Sequence, residues 1–202
     1  MPRAGLTSER VVEEAEKMAD EVGLREFTLA ALAQRLGVRQ PSLYKHIDSM
    51  AGLQRNISVR AKVELGDVLA RAAVGRSGAD AIVAMAQVYR QWALLHPGRY
   101  MAAQIAPALG DDEDEGASFA IVQIIADVLG SYELEGDDAI DAIRAFRSTL
   151  HGFVTLEGGG GFQLNVDINR SYDRLIGGVI VAIANWSETT SAAAATVARK
   201  LQ

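Results

Sequence analysis

Residues 28–47, TLAALAQRLGVRQPSLYKHI, contain two short helix-like patterns separated by a glycine and followed by a proline. The apolar residues of the first pattern recur at helical spacing: Leu29, Leu32, Ala33 and Leu36. Gly37 can adopt the left-handed conformation that ends a helix, and Pro41 suits the first turn of the next one. Helices this short are marginal alone, so neighbouring helices must hold them. The stretch therefore predicts a helix-turn-helix.

The rest of the chain also shows helical rather than alternating periodicity, which predicts an all-α fold. A first helix should begin at Thr7 or Ser8 and stop at Gly23, and a fourth should begin after Asp48 or Ser49 and reach Ala73. Later helices are expected at residues 79–96, 100–109, 117–129, 137–156, 171–186 and 192–200. Two segments between helices are expected to lack structure: the acidic GDDEDEG at 110–116 as a solvated loop, and GGGG at 158–161 as a flexible connector.

Charge is distributed unevenly along the sequence. The total is −6, yet residues 25–62 carry seven cations against two carboxylates, a local charge of +5 that leaves −11 for the remainder. We call these seven residues the basic island: Arg25, Arg35, Arg39, Lys45, Arg55, Arg60 and Lys62. A basic island on an acidic body indicates local contact with a polyanion rather than coating of nucleic acid by the whole surface.

The short third helix has the features of a DNA-reading element. The major groove of B-DNA is about 12 Å wide and admits one helix, so such an element can be brief, exposed and polar on one side. The exposed set is expected to be Arg39, Gln40, Ser42, Tyr44, Lys45 and His46. Two alternatives stay open here: Tyr44 as a core aromatic, and His46 as a structural histidine. Arg55, Arg60 and Lys62 are expected on a solvated helix face, with phosphate contact only from Arg55.

The pattern T-L-x-x-L-A-x-x-L-G-V-x-x-P-S-L-Y-x-H-I, followed by D-S-x-x-x-L, resembles the N-terminal signature of the tetracycline-repressor (TetR) family of bacterial transcription regulators. The resemblance covers residues 7–53. It implies that Thr28 contacts a DNA phosphate and that Tyr44 and His46 lie near the DNA backbone. It also implies that Gln40, Ser42 and Lys45 face base edges or adjacent phosphates.

This sequence departs from the family pattern at two positions. Arg39 stands where family members commonly have serine or threonine, which are better N-caps, so the third helix should begin less firmly while gaining a charge. Met50 stands where they commonly have lysine, so one phosphate contact is lost and Arg3, Arg39 or Arg55 would have to replace it.

The resemblance also implies a domain organisation. Residues 1–53 would form a three-helix helix-turn-helix DNA-binding domain, and residues 54–202 a larger helical domain for ligand binding and dimerisation. Within the latter, LHGFVTLEGGGGF at 150–162 resembles the HG-containing subgroup of these C-terminal domains.

A homodimer is expected through the helices at 137–156 and 171–186. The first of these helices has two apolar faces and therefore needs two partners, and the second carries small residues, Gly177, Gly178 and Ala182, that let helices approach closely. Two DNA-reading helices related by a two-fold axis would read a palindromic operator. The alternative is that both helices belong to one monomeric core.

A pocket for a small-molecule effector is expected among apolar residues interspersed with a few polar ones. The candidates for this pocket are Met85, Tyr89, Trp92, Met101, Gln104, Phe119, Gln123, Phe146 and His151. The alternative for each of them is ordinary core packing.

Other classes of function find little support in the sequence. There is no cysteine, so neither a disulfide nor a thiolate site can form. No H-E-x-x-H or G-x-S-x-G occurs, and GDDEDEG lacks the spacing of a calcium loop, so we expect no metal, no cofactor and no enzyme. The longest uncharged stretch, at 175–187, is too short to span a membrane, which together with the missing cysteines fits a cytoplasmic protein without a membrane partner.

Together these features predict a ligand-responsive transcriptional regulator, a repressor that a small molecule releases from its operator. The alternative is an all-α small-molecule-binding protein or enzyme with no DNA role.

Overall fold

A computed structural model of the chain describes residues 6–186, and this part contains helices and no strands. The α-helices are α1 (Ser8–Val22), α2 (Leu29–Leu36), α3 (Met50–Ala73), α4 (Gly78–Leu95), α5 (Pro97–Ala103), α6 (Asp112–Leu129), α7 (Gly136–Gly158) and α8 (Ile168–Ala184). Two 3₁₀ helices span Gln40–Lys45 and Gly130–Tyr132. The predicted all-α class is confirmed. The helix expected at 192–200 and the side chain of Arg3 lie outside the described residues.

No single helix between residues 6 and 186 is long and apolar enough to cross a membrane. One bent pair of segments, Asp112–Tyr132 and Gly136–Gly158, is long and apolar enough when the two are taken together, by length and composition alone.

The chain forms two compact units. Unit 1 contains the residues up to Asp67 together with Gln91–Ile121, and unit 2 contains Val68–Arg90 together with the residues from Val122 onward. The domain boundary between residues 53 and 54 stays a prediction.

The core of unit 1 is built from the apolar faces of α1, α2 and the start of α3. Fully buried side chains come from each of these elements and from the 3₁₀ helix between them, among them Val11, Leu32, Leu43, Leu53 and Ile57. Helix α5 lies directly against α1, because Gly98 has no side chain: a Cβ there would be 2.0 Å from the carbonyl oxygen of Ala19. Asp20 accepts hydrogen bonds from the backbone N–H and Nε of Arg99, at 2.9 and 2.7 Å.

The acidic segment is not the solvated loop that the sequence predicted. Helix α6 begins at Asp112, so four of the five carboxylates lie in its first turn, where the helix dipole favours negative charge. Asp111 caps this turn, since its Oδ1 accepts a hydrogen bond from the N–H of Asp114 at 3.2 Å. Helix-start chemistry and ion pairs to α3, described below, account for the cluster.

The helix expected at 100–109 is also shifted. Helix α5 begins at Pro97, whose missing N–H costs nothing in a first turn, and ends at Ala103. Continuing to residue 109 would place Pro107 inside the helix, where it can neither donate a hydrogen bond nor avoid the preceding turn.

Unit 2 packs the buried faces of α7 and α8, which include Phe146, Leu150, Tyr172 and Ile176. The glycine run after α7 is a hydrogen-bonded helix end rather than the expected flexible connector. The N–H groups of Gly159, Gly160 and Gly161 donate to carbonyl oxygens of the last turn of α7 at 3.0, 3.0 and 2.7 Å. Glycine is required because Gly160 has φ +69°.

Candidate nucleic-acid interface

The turn between the two short helices has the geometry that the sequence predicted. Gly37 adopts the left-handed conformation at φ 69°, and the N–H of Val38 donates to the carbonyl of Ala33 at 2.9 Å, which closes α2. The chain beyond the turn is anchored by Leu43 and Ile47, which are 0 % and 5 % exposed. These two apolar side chains therefore hold residues 39–46 against the core of unit 1, and the other side chains of the segment can face outward.

The third predicted helix is a 3₁₀ helix, not an α-helix. Its hydrogen bonds run over three residues, from the N–H of Ser42 to Arg39 and from that of His46 to Leu43, both at 2.8 Å. Arg39 makes no side-chain cap, as expected from its departure from the family pattern, and six residues with an early proline give an α-helix little to build on. Side chains three apart eclipse in this geometry, so Tyr44 and Lys45 lie on rows other than that of buried Leu43.

The six predicted DNA-binding residues of segment 39–46 are exposed or half-buried, and their side chains are unengaged. Tyr44 is 54 % exposed, so its alternative role as a core aromatic is wrong. Arg39, Gln40 and Lys45 are exposed as well, whereas Ser42 and His46 are half-buried. Within residues 6–186 none of these side chains makes a hydrogen bond or an ion pair.

Thr28 has the position that a phosphate contact needs. It is the exposed N-cap of α2, and its Oγ1 accepts a hydrogen bond from the N–H of Ala31 at 3.2 Å. Because that bond uses a lone pair, the hydroxyl proton remains available to an acceptor outside the chain.

Two cations of the basic island are neutralised by α1. Arg35 pairs with Glu14 and also with Glu21, to which its Nη2 donates at 2.8 Å. The hydrogen bonds with Arg35 lower the pKa of Glu21. Arg60 Nε donates to Oε1 of Glu16 at 2.7 Å. The charge that the sequence places at these two positions is therefore already compensated.

Two more cations are neutralised by the start of α6. Arg55 donates from Nε to Asp111 at 2.8 Å and lies 2.7 Å from Glu113, and this hydrogen bonding lowers the pKa of Asp111 to about 2. Lys62 is 2 % exposed, and its Nζ lies 2.6 Å from Oδ1 of Asp114, which is also buried. The expected solvated helix face is therefore wrong for Lys62. The guanidinium of Arg55, expected to meet phosphate, already has two carboxylate partners.

Three cations of the island remain: Arg25, Arg39 and Lys45. All three are exposed, and none has a carboxylate partner in the described part of the chain. Sequence reasoning did not single out Arg25, because its distinguishing property, the lack of a carboxylate partner, depends on pairings made between helices.

Met50, the second departure from the family pattern, has a packing role. It is half-buried and packs against the core of unit 1.

The residues predicted for the effector pocket are divided between the units. Trp92, Met101, Gln104 and Phe119 belong to unit 1, where Trp92 is buried and Phe119 is 62 % exposed. Unit 2 contains the other five: Met85, Tyr89, Gln123, Phe146 and His151. Met85 and Phe146 are completely buried in its packing. None of the nine lines the cavity of about 320 Å³ that unit 2 contains beside the end of α7.

A short polar helix, anchored by two apolar side chains and flanked by unpaired cations, defines a helix-turn-helix DNA-binding protein. The sequence matches the family described as bacterial regulatory proteins, tetR family, over residues 11–57, and the one described as tetracyclin repressor-like, C-terminal domain, over residues 82–179. The chain belongs to the TetR family of transcriptional regulators.

Named relatives agree with this assignment. The uncharacterized HTH-type transcriptional regulator Rv0681 of Mycobacterium tuberculosis is 42% identical over 76% of this chain and 71% of its own length. The uncharacterized HTH-type regulator YobS of Bacillus subtilis is 36% identical over 84% of this chain and 88% of its own. Among solved structures, a TetR variant from Acinetobacter baumannii AYE in complex with minocycline superposes with a TM-score of 0.65 at 20% identity, covering 92% of this chain and 98% of that one.

Proposed function

We propose that the protein is a ligand-responsive repressor that binds a palindromic operator as a homodimer and is released from it by a small molecule. The observation that carries the proposal is the sorting of the basic island: the cations left without partners are those in and near segment 39–46 and the turn before Thr28. In this proposal residues 1–53 act as the DNA-binding domain and residues 54–202, of the HG-containing type, as the ligand-binding and dimerisation domain, in the cytoplasm where the operator lies.

The family resemblance gives each of these residues a role in DNA binding. Thr28, Tyr44 and His46 donate to DNA phosphates, while Gln40, Ser42 and Lys45 reach base edges or adjacent phosphates. Arg25 and Arg39 add positive charge at two separate points of the same unit, which compensates for the lysine that Met50 replaces.

Exposed apolar surface on α7 and α8 supports the dimer. Leu156 on α7 is 53 % exposed and Val181 on α8 is 63 % exposed. Gly177 and Gly178 have open space where a Cβ would be, so another helix could approach α8 closely. A two-fold pairing of α7 and α8, with the residues up to Trp186, would bury these side chains and place two DNA-binding domains on one operator.

Release by a small molecule requires that the molecule binds one state of the dimer better than the other. Moving the population from 99:1 to 1:99 takes about 5.5 kcal/mol of differential binding free energy. The similar TetR variant from Acinetobacter baumannii is in complex with minocycline, and this supports a small-molecule effector for the present chain.

The test is a gel-retardation assay on the DNA that flanks the chain's own coding region, searched first for an inverted repeat. Tyr44→Ala and Lys45→Ala are expected to remain folded and to lose operator binding, because both side chains are exposed and unengaged. Lys17→Ala is the matched control: Lys17 is also exposed, and its ion pair with Glu14 lies on α1. Equal retardation by all three variants and the unaltered protein would refute the assignment of segment 39–46.

The dimer is tested separately by light scattering of the purified protein without DNA. We expect the mass of two chains at micromolar concentration. A single-chain mass would contradict the proposed pairing of α7 and α8.

A further inference from the structure

We propose that the cavity beside the end of α7 is an effector site for a neutral, largely apolar molecule that carries a hydroxyl or N–H donor. This inference rests on the proposed function and gives that function a binding site and a ligand class. The cavity has a volume of about 320 Å³, within the usual range for small-molecule sites. Its apolar lining comes from Phe153, Phe162, Leu164, Val166 and Ile168.

The inner wall of the cavity is fixed by aromatic packing. The ring of Phe153 lies 4.8 Å from that of Phe162 and 4.8 Å from that of Tyr172, measured between centroids. Tyr172 is buried and its hydroxyl donates to the carbonyl oxygen of Ala86 at 2.6 Å, which ties this wall to α4. A preformed apolar wall of this kind favours a flat or branched apolar ligand.

The charge beside this wall is already compensated. Arg90 donates two hydrogen bonds to Glu157, at 2.7 and 2.5 Å, and a third to Oδ1 of Asn169 at 2.9 Å. Its guanidinium also lies over the rings of Phe153 and Tyr172, 5.7 and 4.9 Å from their centroids. Among residues 6–186 no charged side chain lines the cavity, so an ionic ligand would lose its hydration without gaining a counter-charge from them.

Two polar side chains line the cavity and can orient a ligand. Ser171 donates its hydroxyl proton to the carbonyl oxygen of Asp167 at 3.1 Å, and Gln163 donates its amide N–H to Gly160. Both retain an oxygen lone pair, so both can accept a hydrogen bond from a ligand. These acceptors favour a neutral molecule that carries a hydrogen-bond donor.

The outer wall is apolar surface that remains uncovered. Leu164 is 86 % exposed and Val166 is 53 % exposed, and a ligand in the cavity would cover part of both. This wall is held near α7 because Gly161 packs tightly: a Cβ there would lie 3.0 Å from the carbonyl oxygen of Leu156. A bound molecule would therefore contact the end of α7 and the start of α8, the two helices of the proposed dimer interface.

The probe is 1-naphthol, a neutral aromatic with one hydroxyl donor, titrated into the full chain by isothermal titration calorimetry. We expect saturable binding of 1-naphthol and no binding of 1-naphthoate, its anionic counterpart. Ser171→Trp places an indole in the cavity and is expected to weaken 1-naphthol binding by about tenfold or more, equivalent to about 1.4 kcal/mol. The control is Gln87→Trp, which adds the same group on the exposed face of α4 outside the cavity and is expected to bind normally.

A second variant tests the cavity independently in case Ser171→Trp does not fold. Leu164→Asn removes apolar wall at a position exposed enough to leave the fold intact, and it is also expected to weaken 1-naphthol. The proposal is overturned if 1-naphthol does not bind up to its solubility limit, if 1-naphthoate binds equally, or if neither variant changes the affinity. It is also overturned if the cavity is a subunit contact, in which case Ser171→Trp yields monomers and 1-naphthol does not bind. In all these cases the unliganded protein should still retard operator DNA. Failure of the cavity proposal can therefore be distinguished from failure of the DNA-binding function.

Discussion

The pairing of cations in unit 1 predicts how steeply DNA binding depends on salt. Each phosphate that a protein neutralises contributes about −0.9 to the slope of log K against log salt, because it releases condensed counterions. With three free island cations in each subunit, a dimer neutralises about six phosphates, for a slope of about −5.4. If all seven cations contacted DNA, the slope would be about −12.6.

Matched substitutions test this directly. Arg39→Gln removes an unpaired arginine from both subunits, so the slope should become shallower, about −3.6 instead of about −5.4. Doubling the salt should then weaken binding about 12-fold instead of about 40-fold. Arg55→Gln makes the same chemical change where the guanidinium is already held by Asp111 and Glu113, so the slope should stay near −5.4.

The assay is fluorescence anisotropy with a labelled operator over a series of KCl concentrations. Cations outside the basic island, Arg3 among them, would shift all three slopes alike, so the comparison between the variants is what decides. Equal slopes for Arg39→Gln and Arg55→Gln would refute the sorting of paired from unpaired cations. A shallower slope for Arg55→Gln alone would show that Arg55, and not Arg39, contacts phosphate.

Three further predictions concern the stability of unit 1, measured by denaturation. Gly98→Ala should lower the free energy of unfolding by about 1–3 kcal/mol, because its Cβ would lie 2.0 Å from a backbone oxygen of α1. The control Gly116→Ala lies in open helical space and should raise the free energy of unfolding by about 0.5–1 kcal/mol. Equal effects would contradict the close approach of α5. Asp114→Ala should lower the free energy of unfolding by about 3–5 kcal/mol, because it removes the carboxylate that pairs with the buried Lys62 ammonium. Combining Lys62→Met with Asp114→Leu should restore most of the lost stability. No recovery would argue against the ion pair as the cause. Asp111→Asn keeps the helix cap but loses the carboxylate, whose pKa falls from 3.8 to about 2 on folding, so only the unaltered protein should lose this stabilisation as pH drops from about 4 to about 2. Parallel pH profiles for the two proteins would refute that last assignment.

Local patterns in the sequence were sufficient for the helix-turn-helix. The helical spacing of Leu29 and Leu32, the threonine before them and the glycine after them act over a few residues, and the structure has each in its expected place. The conformation of segment 39–46 was less accessible, because the choice between an α- and a 3₁₀-helix at six residues depends on how Leu43 and Ile47 reach the core.

The difference between local patterns and long-range packing also separates the predicted from the unpredicted parts of the site. The sequence by itself determined where positive charge is concentrated and which side chains recur at helical spacing on the core-facing side of each helix. Tertiary structure decided which charges are free, because Arg55 meets a carboxylate 56 residues away and Lys62 one 52 residues away. It also decided that a glycine run closes a helix beside an aromatic cavity. Spacing within a helix is fixed by backbone geometry and can be read from sequence, whereas contacts between helices depend on how those helices pack against one another.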